Sequence, residues 1–185
     1  MSDRVVIVGS GFTGFWAAAA ARRVGGEAVT ITMVAPEPTL VMRPRLYEAE
    51  PQALSVDLKP LLDSLDVTFI ADHATEISVS EDQLTLGSGD VLAFDRLVVA
   101  TGSIISRPPV PGAGEAYSID TQSDAIEFYL RLAQIAAEST EPSIAVIGAG
   151  FAGVELALEL RDRISVHADP APLSDFESCL WTKRL

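Results

Sequence analysis

The first apolar run of the chain, Val5-Val-Ile-Val8, carries no polar residue and breaks at Gly9-Ser-Gly-Phe-Thr-Gly14 before an alanine-rich stretch to Arg22. A short β-branched run reads as a core strand, the glycines as a tight turn, and the stretch after them as a helix. Val29 to Val34 alternates apolar residues with Thr and predicts a second parallel strand, ending at Ala35-Pro36-Glu37-Pro38. Val67 to Ile70 predicts another. Glu76–Val79, Gln83–Leu86 and Val91–Phe94 are divided by Ser-Glu-Asp and Gly-Ser-Gly-Asp, the pattern of a small antiparallel meander. Leu97 to Ala100 predicts an apolar strand that ends at Thr101-Gly102. Beyond the proline-rich loop Arg107 to Gly112, Thr121 and Asp124 have capping-box spacing. The helix they open places Ile126, Tyr129, Leu130, Ala133 and Ala137 on one face.

The N-terminal pattern occurs twice. Ile144-Ala-Val-Ile-Gly-Ala-Gly-Phe-Ala-Gly153 repeats the Val5–Gly14 segment at an offset of 139 residues, and from Val5 to Arg22 six of 18 positions are identical. Each copy reads as strand, GxGxxG bend and helix. In such a bend the first glycine allows the sharp turn and the second lets the backbone approach a pyrophosphate. The third lets helix pack on strand, and the helix N-terminus faces the anion. Both copies therefore point to dinucleotide binding; a purely structural turn is the other reading.

Composition narrows the partners. The chain has 185 residues, 48% of them hydrophobic, enough for a full core. Thirteen Lys and Arg stand against 26 Asp and Glu, a formal charge of −13, so nucleic acid is not an expected partner. Cys179 is the only cysteine, so an intrachain disulfide and a thiolate metal cluster are both excluded, and the expected compartment is the cytoplasm. The uncharged stretch Val5–Ala21 is cut by three glycines and falls short of the about 20 apolar residues that cross a bilayer, so neither a transmembrane segment nor a signal peptide is expected. His73 has no second ligand near it in sequence, His167 lies in an unpatterned region, and no metal site is expected. No GxSxG context surrounds a serine, which sets hydrolase chemistry aside. Residues 103–147 lack the His and Trp of a flavin monooxygenase segment.

Three motifs in order, the bend at Gly9–Gly14, the strand end Ala100-Thr101-Gly102, and the bend at Gly148–Gly153 followed by Glu155, resemble the two-dinucleotide flavoprotein oxidoreductases over residues 4–162. Within that superfamily of pyridine nucleotide-disulfide oxidoreductases the chain looks like the type II NADH dehydrogenase branch. The resemblance implies an α/β protein: a Rossmann-type FAD-binding domain over 1–117 with a parallel sheet and the meander, the start of an inserted NAD(P)-binding Rossmann domain over 118–162, and an atypical tail over 163–185. It further implies an FAD-dependent NAD(P)H oxidoreductase that passes hydride from nicotinamide to flavin and electrons on to a quinone-like acceptor.

Residue by residue, Gly9, Ser10, Gly11, Phe12, Thr13 and Gly14 would meet the FAD pyrophosphate, with Thr101 and Gly102 under the flavin nucleotide. Gly148, Gly150, Phe151 and Gly153 would meet the nicotinamide dinucleotide. Glu155, the catalytic candidate, would sit near the nicotinamide; it also reads as a first-turn carboxylate favoured by the helix dipole. Disulfide reductases carry a Cys pair at the position of Leu40–Tyr47, which this chain lacks, so Arg43 and Pro44 are candidates for flavin contact or else a basic surface loop. The ribose-binding acid expected at the end of the second strand is Ala35 here, which passes that contact to Glu37, 23 residues past Gly14. Phe12, Phe15 and Trp16 otherwise read as helix-packing residues.

Helical periodicity after Gly153 runs through Leu160, and from about Ala168 the family pattern is no longer legible, as though the reading frame changed or the chain were cut. The rest of an NAD lobe and a later FAD segment would then be missing. Self-association through the incomplete sheet is expected from such a chain. A noncatalytic nucleotide-binding remnant, holding at most the ADP part of FAD, is the other functional reading.

Overall fold

The computed structural model describes residues 2–48, 50–107, 109–138 and 143–167. The chain divides into two units, residues 1–41 with 55–104, and residues 42–54 with 105–185.

In the first unit the apolar run becomes β1 (Asp3–Val8), with Val5 to Val8 all buried. A strand covered on both faces cannot alternate apolar with polar residues, which is why the run reads as continuous. The chain turns through Gly9–Gly11 into α1 (Phe12–Gly25) and returns as β2 (Val29–Ala35), parallel to β1 with Asp3 opposite Val29 and Val8 opposite Val34. A short antiparallel pair, β3 (Thr39–Val41) and β4 (Ser55–Asp57), precedes α2 (Lys59–Ser64), whose Pro60 sits at the second helical residue, where its missing N–H costs nothing. No periodicity announced either feature.

The expected strand β5 (Val67–Ala71) lies parallel to β2. The meander follows as β6 (Ala74–Ser78), β7 (Gln83–Leu86) and β8 (Val91–Ala93). Its first strand begins earlier than Glu76 and irregularly, and Val79 is left exposed. β9 (Arg96–Val99) closes the unit parallel to β1, giving the sheet order β5-β2-β1-β9. Val6, Val8 and Val34 of the sheet share one core with Leu84, Leu86 and Phe94 of the meander. Each such side chain contributes about 1.5–3 kcal/mol by its burial.

The second unit holds α3 (Gln122–Glu138) and α4 (Phe151–His167). Thr121 Oγ1 accepts the Asp124 N–H at 3.1 Å, the expected N-cap bond. The expected buried face of α3 is corrected: Ala125 and Leu132 are buried, while Leu130 is 64% exposed and Ala133 and Ala137 face solvent. Leu132 packs with Leu160 of α4, and Phe128, Tyr129, Ile144, Val146 and Leu156 close around them. Apolar residues encircle most of α3, so contact with α4, not periodicity, decides its phase.

The second expected strand, Ile144–Ile147, does not form as one. It makes a single isolated β-bridge at Ile147, although Ile144 and Val146 still alternate inward with exposed Ala145 and Ile147. A strand needs a ladder, and among the described residues of this unit no strand runs beside it. α4 in turn continues past Leu160 to His167, so the first residues assigned to the tail are helical; the remainder, 168–185, lies outside the described residues.

Candidate functional site

The first bend is built from three glycines with separate duties. Gly9 has φ +112°, donates its N–H to Val34 O at 2.8 Å, and leaves no room for a side chain: a Cβ there would stand 2.2 Å from Ala100 O. Gly14 is equally constrained, since its Cβ would stand 1.9 Å from Gly9 O. Gly11 is the opposite case. Nothing lies within 4 Å of a Cβ placed on it.

Gly11 is also the N-cap of α1, with no side-chain cap, and the first helical bond is Phe15 N–H to Gly11 O at 3.0 Å. The first-turn N–H groups therefore lack intrahelical acceptors beside an open glycine, and the helix dipole adds positive potential there. That geometry fits a diphosphate. Ser10 is half-buried and donates its hydroxyl to Thr39 O at 3.1 Å. Thr13 is exposed, as are Phe12 (43%) and Trp16 (62%); of the three aromatic residues expected to pack, Phe15 is half-buried and meets Trp16 edge-on, whereas Phe12 stays at the surface.

Three other expected residues, Glu37, Thr101 and Gly102, reach the same edge of the parallel sheet. Glu37 is exposed in the bend after β2, while Ala35 is buried at the strand's end. Ala100 donates its N–H to Val8 O at 2.8 Å, so exposed Thr101 and Gly102 (φ +75°) follow β9 where Gly9 follows β1. Ligands of open α/β sheets bind along this carboxyl edge. At the far side of the unit Arg4 grips Asp95 through Nε at 3.0 Å, Nη2 at 3.0 Å and its main-chain N–H at 2.7 Å. These bonds hold the Asp95 carboxyl at about 2, below its ordinary value.

The second unit repeats the bend. Gly148 has φ +115°, a Cβ on Gly153 would stand 2.0 Å from Gly148 O, nothing lies within 4 Å of a Cβ on Gly150, and Val154 donates its N–H to Gly150 O at 3.1 Å. Phe151, 91% exposed, opens α4. Glu155 is half-buried in the second turn, beyond the first-turn position where the dipole alone would favour a carboxylate. A cavity of about 680 Å³ is lined by this bend, by Leu132, Leu156 and Leu160, and by Arg43, Pro44 and Tyr47.

Arg43 and Pro44 belong to the one-turn helix Arg43–Arg45. Arg45 is a surface cation paired with Glu48, whereas Arg43 donates Nε to Asp120 O at 3.0 Å and pairs its guanidinium with the Asp120 carboxylate. Tyr129 donates its hydroxyl to Tyr47 O, lies 4.3 Å under the Arg163 guanidinium, and is pushed up to about 12, chiefly by burial. Burial first, and the Glu155 charge second, also raises the Tyr47 phenol above its usual value. Asp120, Tyr47 and the environment of Tyr129 had no sequence signal: no motif links position 43 to position 120.

Among the described residues no three His, Cys, Asp or Glu side chains converge on a cation position, and no helix is long and apolar enough to cross a membrane. His73 Nδ1 sits 3.1 Å from Asp72 Oδ1 in a turn.

A parallel sheet with a glycine bend at its carboxyl edge, and the same bend built again in the second unit, define an α/β protein of the Rossmann dinucleotide-binding class. The chain belongs to the pyridine nucleotide-disulphide oxidoreductase family, which it matches over residues 3–178. That match continues past residue 162, where the legible motifs stop. Over 171 residues it is 34% identical to an NADH dehydrogenase-like protein of Mycobacterium tuberculosis, covering 87% of this chain and 43% of that one. It is 32% identical to the NADH-rubredoxin oxidoreductase of Clostridium acetobutylicum, covering 87% and 42%. The solved sulfide:quinone oxidoreductase of Aquifex aeolicus superposes with a TM-score of 0.71 at 29% identity, covering 90% of this chain and 42% of that one. The chain thus spans less than half the length of these relatives.

Proposed function

We propose that the chain is the cofactor-binding part of an FAD-dependent NAD(P)H oxidoreductase. The matched geometry of the two bends carries this reading, because in both the middle glycine, Gly11 or Gly150, faces open space and the third, Gly14 or Gly153, has no room for a side chain. Gly9, Ser10, Gly11, Phe12, Thr13 and Gly14 seat the FAD diphosphate, Glu37 takes its ribose hydroxyls, and Thr101 and Gly102 lie under the nucleotide. Arg43 and Pro44 contact the flavin. Gly148, Gly150, Phe151 and Gly153 seat NAD(P)H, with Glu155 near the nicotinamide. On this reading residues 1–117 form the FAD domain, 118–162 begin the NAD(P) domain and 163–185 form a tail. When bound, the two cofactors supply the chemistry, hydride passing from nicotinamide C4 to flavin N5. The acceptor we assign is quinone-like, supported by the absent Cys pair and by the name of one structural neighbour; the relative named for rubredoxin marks the competing class. The cytoplasm is the assigned compartment.

The single bridge at Ile147 favours a second reading, a nucleotide-binding remnant that holds at most the ADP part of FAD and self-associates through its unpaired segment. Absorbance decides between them. Purified chain equilibrated with FAD is expected to turn yellow and to bleach anaerobically on addition of NADH; a colourless protein that binds only ADP contradicts the oxidoreductase and supports the remnant.

A further inference from the structure

Between their first two glycines the bends differ: Ser10 stands in one and Ala149 in the other. The bend itself needs no hydroxyl there, because Gly148, Gly150 and Gly153 reproduce its geometry around an alanine. Ser10 directs its hydroxyl to another element. Half-buried, it donates to Thr39 O at 3.1 Å, 29 residues on in the chain.

Thr39 closes the short segment that carries Glu37. Ala35 O accepts the Asp72 N–H at 3.1 Å, and Pro38 O accepts the Leu58 N–H at 2.7 Å. Pro36 and Pro38 fix φ on either side of Glu37 and keep Ala35 and Glu37 out of the helical region. An exposed acid is thus carried on a backbone with little freedom left to lose when a ligand binds. Asp72 and Leu58 tie the segment to the end of β5 and the start of α2, whereas Ser10 ties it to the bend.

We infer that Ser10 is a positioning residue for ribose recognition: through Thr39 O its hydroxyl holds the Glu37 segment at a fixed reach from the diphosphate seat. One adenosine diphosphate group is then met at its phosphates by the bend and at its ribose hydroxyls by Glu37. The inference rests on the reading of the first bend and Glu37 as the FAD seat. A Ser10 hydroxyl that served the phosphates directly would act independently of Glu37, and that independence separates the two roles.

The test is a double-variant cycle on the full chain, with FAD affinity measured by calorimetric titration and each melt recorded. Glu37→Ala is expected to weaken FAD at least about tenfold and Ser10→Ala about fivefold, while Ser10→Ala adds less than about twofold in the Glu37→Ala background. Amide exchange of the ligand-free chain gives a second readout: the Glu37 and Thr39 N–H groups should exchange faster in Ser10→Ala. Ser10→Ala that binds FAD as wild type does, a fivefold loss that persists beside Glu37→Ala, or exchange at Glu37 and Thr39 unchanged by Ser10→Ala overturns the inference. Ser10→Ala removes one oxygen atom at a residue without a positive φ; should its melt show no folded state, Ser10→Cys takes its place under the same criteria. Wild type that takes up no FAD, or Glu37→Ala that binds it undiminished, removes the ribose reading and this inference together, whereas independent losses remove the inference alone.

Discussion

Gly9, Gly11 and Gly14 share one bend but are glycine for different reasons, and substitution separates them. Gly9→Ala forces a side chain against Ala100 O at a positive φ, so it should cost on the order of 1–3 kcal/mol or prevent folding. Gly11→Ala points into open space from an ordinary φ of −69° and should cost at most about 1 kcal/mol, the difference between N-cap residues. Thermal melts of the two variants check the contrast. The spacing of these glycines was legible because a diphosphate seat is a local structure, set by consecutive residues. Asp120 was not legible for the converse reason: its partners Arg43 and Ile105 come from elsewhere in the chain.

Asp95 supplies a pH test at the same scale. Its carboxyl titrates at about 2 rather than 3.8 because Arg4 bonds to its charged form. A depressed folded value means a contribution present above the unfolded value and lost as pH falls from about 4 to about 2. Asp95→Asn should therefore melt below wild type at neutral pH, and the gap should close as pH falls through that window. A gap that stays constant from pH 6 to 2 would contradict the pairing.

Among the elements, β1 was readable because burial on both faces writes an unbroken apolar run, Val5–Val8. The pair β3 and β4 and the short helix α2 were not, having too few residues to show a period. α3 failed differently. Its apolar arc covers more than half of the circumference, opposite Ser123, Asp124, Glu127 and Arg131, so the part of that arc that packs on α4 is chosen by Leu160 and Leu156. Leu132→Ala should consequently cost about 2–5 kcal/mol, and Leu130→Ala within about 0.5 kcal/mol, in denaturant unfolding of the second unit. Equal costs would restore the face read from the sequence. Ile144–Ile147 shows the limit of any local reading, since a strand is completed by neighbours that its own residues do not specify.

For the whole molecule, a formal charge of −13 opposes binding of any anionic dinucleotide, so the proposed seats would rely on local groups: backbone N–H donors and the positive ends of α1 and α4. Saturating ligand at 100 times its Kd stabilises whatever it binds by about 2.7 kcal/mol. Amide exchange should consequently slow in residues 1–41 and 55–104 with FAD, and in residues 118–162 with NADH. Protection by FAD confined to the second unit would contradict the assignment of the first bend. The motifs behind both proposed seats lie in the chain itself, whereas the acceptor leaves no comparable signature in these residues.

The most direct measurement is calorimetric titration of FAD and of NADH into wild type, Gly11→Ala and Gly150→Ala, each with its melt recorded. Two open glycines that admit diphosphates require a crossed result: Gly11→Ala weakens FAD at least about tenfold and spares NADH, Gly150→Ala does the reverse, and both variants fold. Unchanged affinities in folded variants, or no binding of either dinucleotide to wild type, would contradict the claim that these bends seat cofactors.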